Sequence, residues 1–544
     1  MSGMKLEDDL GLDRCIEFET DDEEDLAERD CENEDDSESD FSAPSRNPSI
    51  NQMDCNIPSW PQSYRKSMDM YSSVTPPSIS FQMGTSLTGL SSSFLSSAYK
   101  RSQTSEYDSS LISKPLISAP SLDKEEVPVS TVPAKLIVSS YSKSSVNELT
   151  PLQQCSSAQA TLNAINVLCG IGLLSTPYAV KEGGWWSLLL LIVFSVFCCY
   201  TGNLLKQCLE SSPGLKTYPD IGKAAFGAAG RLGIAIILYL ELYASCVEYI
   251  IMMSDNLSSL FPNTNMNFAG IYLNSHQIFA IVMTLATLPT VWLQDLSLLS
   301  YLSAGGVVTS VLVMLCLVWV GVVDQVGFHS GGKALDLANL PVSIGLYSFC
   351  YAGHSVFPNI YSSMKKPSQF PIVLIASFVI CCFLYAGVAI CGFLMFGDSS
   401  KSQFTLNMPK EFMASKIAVW TSVLNPISKY ALTITPVALS LEELLPSAQL
   451  RSLSASILIR TVLVVSTLVV ALTFPFFGFL MALIGSLLAM LIALILPPVC
   501  YLRLLNGRLT KLQIAVSIIT IVVGVMSSCI GTYSAITRIA DKMD

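Results

Sequence analysis

Long apolar runs separated by short polar loops fill the chain from Ala158 almost to its end. Because a helix needs about 20 apolar residues to cross the hydrocarbon core of a bilayer, each run of this length predicts one transmembrane helix. The pattern predicts an all-α polytopic membrane protein with about eleven transmembrane helices. These spans lie near residues 158–181, 184–209, 229–260, 275–293, 297–323, 341–364, 370–396, 412–442, 452–474, 477–502 and 510–536.

The first 150 residues follow a different pattern, which is polar, rich in serine and without sustained periodicity. Residues 1–40 carry 19 acidic side chains against 3 basic ones, so this stretch has a net charge of −16 and the remaining chain one of +5. Such a composition cannot bury enough apolar surface to offset chain entropy. We therefore predict a disordered acidic tail over residues 1–150 and a transmembrane domain over residues 155–536.

Composition excludes an ordinary soluble protein, since hydrophobic residues make up 51% of the chain and charged residues only 13%, against roughly 25% charged in soluble domains. The 16 cysteines show neither metal-ligand spacing nor a disulfide framework. The chain contains no HExxH, GxGD or P-loop pattern. We predict that it is not an enzyme and that it takes no metal, cofactor or nucleic acid.

Basic residues in the short loops predict the orientation in the membrane, because the side richer in Lys and Arg faces the cytosol. One set of loops holds Lys206, Lys216, Lys223, Arg231, Lys365, Lys366, Arg451, Arg503, Arg508 and Lys511. The opposite set holds Lys181, Lys333, Lys401, Lys410 and Lys416. The bias of about two to one favours a cytosolic amino terminus.

The first span contains the sequence CGIGLLSTPY, with Gly170 and Gly172 ahead of Pro177. In a helix interior glycine costs about 1 kcal/mol and proline about 3 kcal/mol, so this stretch predicts a broken helix. Broken backbone survives at membrane depth only where it is buried in protein or faces a water-filled cavity. The break is therefore a candidate binding site, and the alternative is a proline-kinked helix with purely structural glycines.

The sixth span, PVSIGLYSFCYAGHSVFPNIYSSMKK, has a similar interruption, with Gly353 and His354 followed by Pro358. Each break opens a set of five spans, and two copies of an odd number of spans must lie in opposite orientations. We therefore predict an inverted repeat whose two broken helices meet at a substrate site, as in secondary transporters. Repeat one covers 158–323, repeat two covers 341–502, and an extra helix covers 510–536.

Three motifs, GIGLLSTPYAV followed by GGWW, then YAGHSVFPNIYSSM and NPISKYALTITP, resemble the amino acid/auxin permease family. The chain is most similar to its plant vacuolar amino-acid transporters, which are relatives of the vesicular inhibitory amino-acid transporter. This resemblance covers roughly residues 155–536. It implies the eleven-helix form of the five-plus-five fold, with amino-acid substrates, proton-linked transport and a vacuolar membrane location.

Backbone groups at the two breaks are the predicted substrate ligands. Unwinding at Gly170, Ile171 and Gly172 exposes N–H groups that suit an anion such as an α-carboxylate. Carbonyl groups around Tyr351, Ala352 and Gly353 would accept hydrogen bonds from the amino group. The alternative is that the glycines only permit close helix packing. The neighbouring His354 is either a proton relay or a hydrogen-bonded packing residue.

Lys429 lies in the middle of the eighth span, where a charged side chain costs about 2.5–3.5 kcal/mol and faces a cavity or a partner. The resemblance implies that cation-coupled relatives hold sodium between the first and eighth helices. An ammonium group there would replace that ion. The alternatives are a lysine paired with an acidic side chain or one that extends to the membrane surface. Asn425, beside Pro426 on the same span, is a further candidate for the cavity wall.

The third span carries Glu241, Glu248 and Asp255 at intervals of seven residues, which places all three on one helical face. A carboxyl group buried in an apolar span favours its protonated form and can carry a proton. The most central one, Glu248, is the predicted proton carrier. Alternatively, Glu241 and Asp255 lie at the water-exposed ends of the span, and only Glu248 is buried, with a hydroxyl group as its hydrogen-bond partner.

The function predicted from these features is secondary active transport of amino acids, with protons as the coupling ion and the lipid bilayer as surroundings. Two alternatives remain open. One is an amino-acid sensor, or transceptor, that uses the same pocket. The other is a transporter of another small carboxylate such as auxin. The acidic tail would serve regulation by an interaction partner.

Overall fold

The structure is a computed structural model. It describes Trp60, Pro61, Tyr64, Ser67, Met68 and residues 155–268, 270–293, 305–329, 331–445 and 453–543. Most of the predicted acidic tail and the first residues of the predicted fifth span lie outside this described part. Within it, nearly all regular secondary structure is helical.

Helices are numbered here in chain order over the described part. They are α1 (Ser157–Leu168), α2 (Gly172–Gly183), α3 (Ser187–Glu210), α4 (Tyr218–Leu260), α5 (Ser275–Trp292), α6 (Gly306–Val322), α7 (Leu340–Cys350), α8 (Phe357–Ser363), α9 (Phe370–Phe396), α10 (Met413–Glu443), α11 (Leu453–Thr473), α12 (Phe477–Ile484), α13 (Leu496–Leu504) and α14 (Lys511–Met543). A short antiparallel hairpin of β1 (Met266–Phe268) and β2 (Ile271–Leu273) joins α4 to α5.

Local sequence explains where several helices begin. Ser156 starts α1 with a capping box, in which its hydroxyl accepts from the Gln159 N–H and the Gln159 side chain accepts from the Ser156 N–H. Thr217 with Asp220 caps α4 in the same way, and Asn274 with Gln277 caps α5. Each box satisfies two N–H groups that a helix start leaves without an intrahelical partner.

The first predicted break is present. Helix α1 ends at Leu168, α2 begins at Gly172, and the two axes are bent by 52°. The break falls at the glycines, whereas Pro177 lies inside α2. Because Pro177 has no N–H, the Leu173 carbonyl loses its usual helical donor. The Thr176 hydroxyl donates to that carbonyl at 3.1 Å, which allows α2 to continue past the proline.

The second predicted break is also present, between the end of α7 at Cys350 and the start of α8 at Phe357. Pro358 occupies the first turn of α8, where a missing N–H costs nothing. The hydroxyl of Tyr385, on α9, lies within hydrogen-bond distance of the Leu168 carbonyl and 2.9 Å from the Cys350 carbonyl. One side chain therefore contacts the last residue of both α1 and α7.

Among the described residues, six helical segments are long and apolar enough to cross a membrane, and the bent pair α1–α2 makes a seventh. The chain is thus a mostly helical, integral, multi-pass membrane protein, as the apolar pattern predicts. The other predicted spans also contain helices, although α6 and α7 are shorter than a full crossing. Eleven crossings and the inverted repeat stay predictions.

The two broken helices lie side by side at the centre of this helical body. Helix α2 packs against α7 and α9, and α4 packs against α10. Helix α12 and the π-helical stretch Gly485–Ala489 that follows it also pack on α7, whereas a second π-helical stretch, Leu491–Ile495, packs on α3 and α14. At the contact with α7, a Cβ atom on Gly345 would overlap the backbone of Ala482, and one on Gly485 would overlap the backbone of Gly345.

We expect Gly345→Ala to destabilise the fold, because its methyl group meets backbone that cannot move aside, and overpacking of this kind costs about 1–3 kcal/mol. The matched control is Gly233→Ala on α4, where a Cβ atom has no neighbour within 4 Å. Thermal unfolding of the purified protein should show a lower midpoint for Gly345→Ala than for the control. Equal midpoints would contradict the close contact between α7 and α12.

Candidate functional site

A cavity lies where α1 ends and α2 begins. Its polar lining comes from three places: the break itself, the middle of α4 and α10, and the second break. The lining residues are Val167, Leu168, Gly170, Ile171, Gly172, Glu241, Leu242, Ser245, Tyr249, Phe349, Ala352, Ser355, Val356, Lys429 and Thr433. The cavity thus combines unwound backbone with one acidic and one basic side chain.

Lys429 contacts the carboxyl end of α1. Its ammonium group donates to the Asn166 carbonyl at 3.3 Å, and the residue is only 6% exposed. The last carbonyl groups of a helix have no intrahelical donor, and the helix dipole makes that end negative. Lys429 is absent from the ion pairs of the described residues, so its nearest compensation is this helix end.

Glu241 lies on the cavity wall and not at an exposed end of its helix. It is 6% exposed, and Ser355 of the second break lines the same cavity. One carboxyl oxygen of Glu241 has no hydrogen-bond partner among the described residues. A buried carboxyl oxygen of this kind is costly unless it is protonated or meets a ligand donor.

Glu248 lies two turns further along α4 and is fully buried. Among the residues that the structure describes, neither of its carboxyl oxygens has a hydrogen-bond partner. Asp255 lies two more turns along, where it accepts from Gln403 at 3.0 Å and contacts the His276 ring at 3.2 Å. The three acidic groups therefore have different surroundings: a cavity wall, an apolar interior and a polar cluster.

A second cavity adjoins the first and shares the lining residues Gly170, Ile171, Tyr249 and Lys429. It runs along the start of α2 between α4, α6 and α10, and Asn425 lines it. Nearby, the Ser310 hydroxyl of α6 donates to the Cys169 carbonyl at 3.0 Å. Lys429 thus lines both cavities at the first break.

The second break contributes less to the cavity than the sequence predicts. Of its four predicted residues, Ala352 is on the cavity wall. The Tyr351 ring packs on Phe378 and Tyr385, with centroid distances of 5.7 and 5.5 Å. A Cβ atom on Gly353 would lie 3.0 Å from Leu168.

His354 faces α3 and not the cavity. Its Nε2 atom lies 2.9 Å from the Thr201 hydroxyl and 3.1 Å from the Cys198 carbonyl, and the residue is fully buried. This geometry matches the packing alternative that the sequence left open for this histidine. The position of His354 beside the break in the sequence does not predict whether its side chain faces the cavity.

Several cavity residues were missed from the sequence, including Ser355 and the α4 residues Ser245 and Tyr249. A signal for the last two exists, because they follow Glu241 by four and eight residues and so share its helical face. The prediction instead used the interval of seven between the acidic residues, which singles out Glu248 as the central one. Ser355 carries no such signal, since it lies in the non-helical stretch between α7 and α8.

A multi-pass helical body with a cavity at a broken helix is typical of membrane transporters. The family model described as Transmembrane amino acid transporter protein matches residues 153–537. The chain therefore belongs to the transmembrane amino acid transporter family. The resemblance read from the three sequence motifs is confirmed.

Two relatives from Arabidopsis thaliana extend over nearly the whole chain. Amino acid transporter AVT1D is 56% identical over 511 residues, which are 93% of this chain and 92% of the relative. Amino acid transporter AVT1E is 54% identical over 527 residues, or 96% and 98% of the two chains. The more distant Vesicular GABA transporter of Caenorhabditis elegans is 27% identical over 378 residues, or 66% and 74%.

Among solved structures, a substrate-bound outward-open state of a Na+-coupled sialic acid symporter matches with a TM-score of 0.43 at 11% identity. The match covers 70% of this chain and 88% of the symporter.

We expect Gly172→Leu to abolish amino-acid uptake while the protein still reaches its membrane. A Cβ atom on Gly172 already lies 3.0 Å from the Cys350 sulfur and 3.2 Å from its Cα atom, so a leucine would separate the two broken helices. The control is Gly233→Leu on α4, an exposed position where a Cβ atom has no neighbour within 4 Å. Uptake by both variants in membrane vesicles is the measurement, and normal kinetics for Gly172→Leu would reject the site.

Proposed function

We propose that the chain is a proton-coupled secondary transporter of amino acids in an internal, vacuolar membrane. The observation that carries this proposal is the cavity at the first break, which pairs free helix-end groups with Lys429 and Glu241. An amino acid carries one carboxylate and one ammonium group, so it needs both kinds of partner. Family membership supports the substrate class.

In this proposal the substrate carboxylate binds at the start of α2. The first N–H groups of a helix lack intrahelical acceptors and lie at the positive end of its dipole. The ammonium group of Lys429, on the same cavity wall, adds attraction for the anion. The substrate amino group then donates to the free oxygen of Glu241 and to the Ala352 carbonyl.

Lys429 also has a proposed structural role, as a permanent cation at the carboxyl end of α1. Its contact with the Asn166 carbonyl places the charge where α1 meets α10. A metal cation at such a position would be held by the same kind of free carbonyl groups. The lysine therefore removes the need for sodium.

We propose Glu248 as the coupling proton carrier. A fully buried carboxyl group without a hydrogen-bond partner among the described residues is stable only in its neutral form. It can therefore release a proton only in a conformation that hydrates it. Glu241, two turns away on the same helical face, would link this group to the substrate cavity.

In this proposal the chain crosses the membrane eleven times and contains an inverted repeat. The broken helices α1–α2 and α7–α8 are equivalent elements of the two repeats. Movement of one repeat against the other would open the site to each side of the membrane in turn. Tyr385 supports this equivalence, because its hydroxyl contacts the last carbonyl group of α1 and of α7. The amino terminus would face the cytosol, as the lysine and arginine bias of the loops favours. The vacuolar location rests on the resemblance to plant vacuolar transporters.

We expect Glu248→Gln to retain amino-acid exchange but to lose accumulation driven by a pH gradient, because glutamine cannot carry a proton. The control is Glu210→Gln at the end of α3, a carboxylate whose side chain is 45% exposed. Uptake and counterflow in proteoliposomes separate the two activities. Proton coupling through Glu248 would be ruled out if the variant still accumulated substrate in response to pH.

We expect wild-type transport to continue unchanged when choline replaces sodium, and Lys429→Ala to lose at least nine-tenths of its flux. The substitution leaves the buried Asn166 carbonyl without its donor, which costs about 1–3 kcal/mol. The control is Lys416→Ala, an exposed lysine on the same helix. Partial rescue of Lys429→Ala by sodium would support the ion-replacement role, whereas sodium-dependent wild-type flux would contradict it.

A further inference from the structure

Five residues of the predicted acidic tail are described, and they pack against the helical body. Tyr64, Ser67 and Met68 have helical backbone and are 1%, 1% and 0% exposed. Their spacing of three and four residues places them on one helical face, and that face is buried. Trp60 and Pro61 precede them. These five residues are called the docked segment, and the predicted disorder of the tail does not extend to them.

Three hydrogen bonds join the docked segment to separate parts of the body. The Tyr64 hydroxyl donates to the Ser355 carbonyl at 3.2 Å, and the Trp60 indole N–H donates to the Ser440 carbonyl at 3.0 Å. Arg231 donates to the Pro61 carbonyl at 2.9 Å. The segment thus bridges the second break, the end of α10 and the α4 helix.

Aromatic rings of the docked segment also pack against α4. The Tyr239 ring of α4 contacts both Trp60 and Tyr64, with centroid distances of 5.7 and 5.9 Å. Tyr239 lies two residues before Glu241, and the Tyr64 partner Ser355 is itself on the cavity wall. Tyr64 therefore contacts a residue of the cavity wall.

The docked segment extends from the second break, at Ser355, to the end of the helical body at which α10 ends, at Ser440. At this end the Cys155 N–H, just before α1, donates to the Ser363 carbonyl at the end of α8 at 2.8 Å. The partner Ser440 lies in the last turn of α10. The second cavity, by contrast, runs along α2 toward the opposite end.

We propose that the docked segment is an autoinhibitory plug, which closes the tail-side entrance of the cavity and must leave before substrate passes on that side. A buried tyrosine, a buried methionine and a half-buried tryptophan give the docked state apolar contact area. The Tyr64 hydroxyl adds a donor for a carbonyl group that the second break leaves without a helical partner. The inference rests on amino-acid transport but not on the proposed proton coupling.

The plug is tested first by flux in the full chain. Tyr64→Ala and Trp60→Ala each remove one ring that packs on Tyr239, which should raise the undocked fraction and the initial rate about tenfold. The control is Tyr107→Ala, a tail tyrosine outside the described residues. The probe is a ¹⁴C-labelled mixture of the protein amino acids, measured in proteoliposomes.

Docking itself has a second readout that needs no transport. Arg65 and Lys66 adjoin Tyr64 in the sequence, so trypsin can cut there once the segment leaves the body. We expect slow cleavage in the wild-type protein and about tenfold faster cleavage in Tyr64→Ala. Cleavage after Lys100 and Arg101, elsewhere in the tail, should not change and serves as the internal control.

Faster cleavage together with faster flux supports the plug. Faster cleavage with unchanged flux would mean that the segment docks without closing the cavity, and unchanged cleavage would mean that it does not dock as described. Lower flux in Tyr64→Ala, with normal membrane insertion, would make the segment part of the working transporter. Each of these three results overturns the proposal. A lack of flux in every variant and in the wild type would count against the proposed function, while the trypsin result still decides docking.

Discussion

The need to satisfy backbone groups at two broken helices shapes the centre of this protein. A bilayer offers no water to exposed N–H and C=O groups, so a break at membrane depth requires partners from neighbouring helices. Tyr385 contacts the last carbonyl group of α1 and of α7. Ser310 donates to the Cys169 carbonyl, and Lys429 to that of Asn166. Side chains of α6, α9 and α10 thereby form hydrogen bonds with backbone carbonyl groups at the two breaks.

The groups that satisfy the breaks also give the site its chemistry. Lys429 meets the negative end of α1, while the first N–H groups of α2 face the same cavity. Glu241 lies on the wall with one carboxyl oxygen that has no partner among the described residues, and Ser355 of the second break lines the same cavity. Tyr64 of the docked segment donates a hydrogen bond to the backbone carbonyl of the same serine. Substrate binding and access from the tail side would thus depend on one small region.

Local sequence was enough to predict the breaks, because glycine and proline act through backbone terms that need no tertiary contact. It also predicted the positions of the long helices, since apolar length is a property of the chain itself. Side-chain direction was harder to predict. His354 adjoins a break yet bonds to α3, and Glu241 lies on the cavity wall where α4 packs against α10. The docking of Tyr64 depends on a surface made by distant residues, which composition cannot reveal.

The central claim is that an amino acid binds at the first break, between the start of α2, Lys429 and Glu241. A cryo-EM map of the protein with a transported amino acid tests it most directly. We expect density for the substrate in this cavity, with its carboxylate at hydrogen-bond distance from the first N–H groups of α2 and its amino group near Glu241. Substrate density elsewhere, or an amino acid bound with the opposite orientation, would contradict the claim.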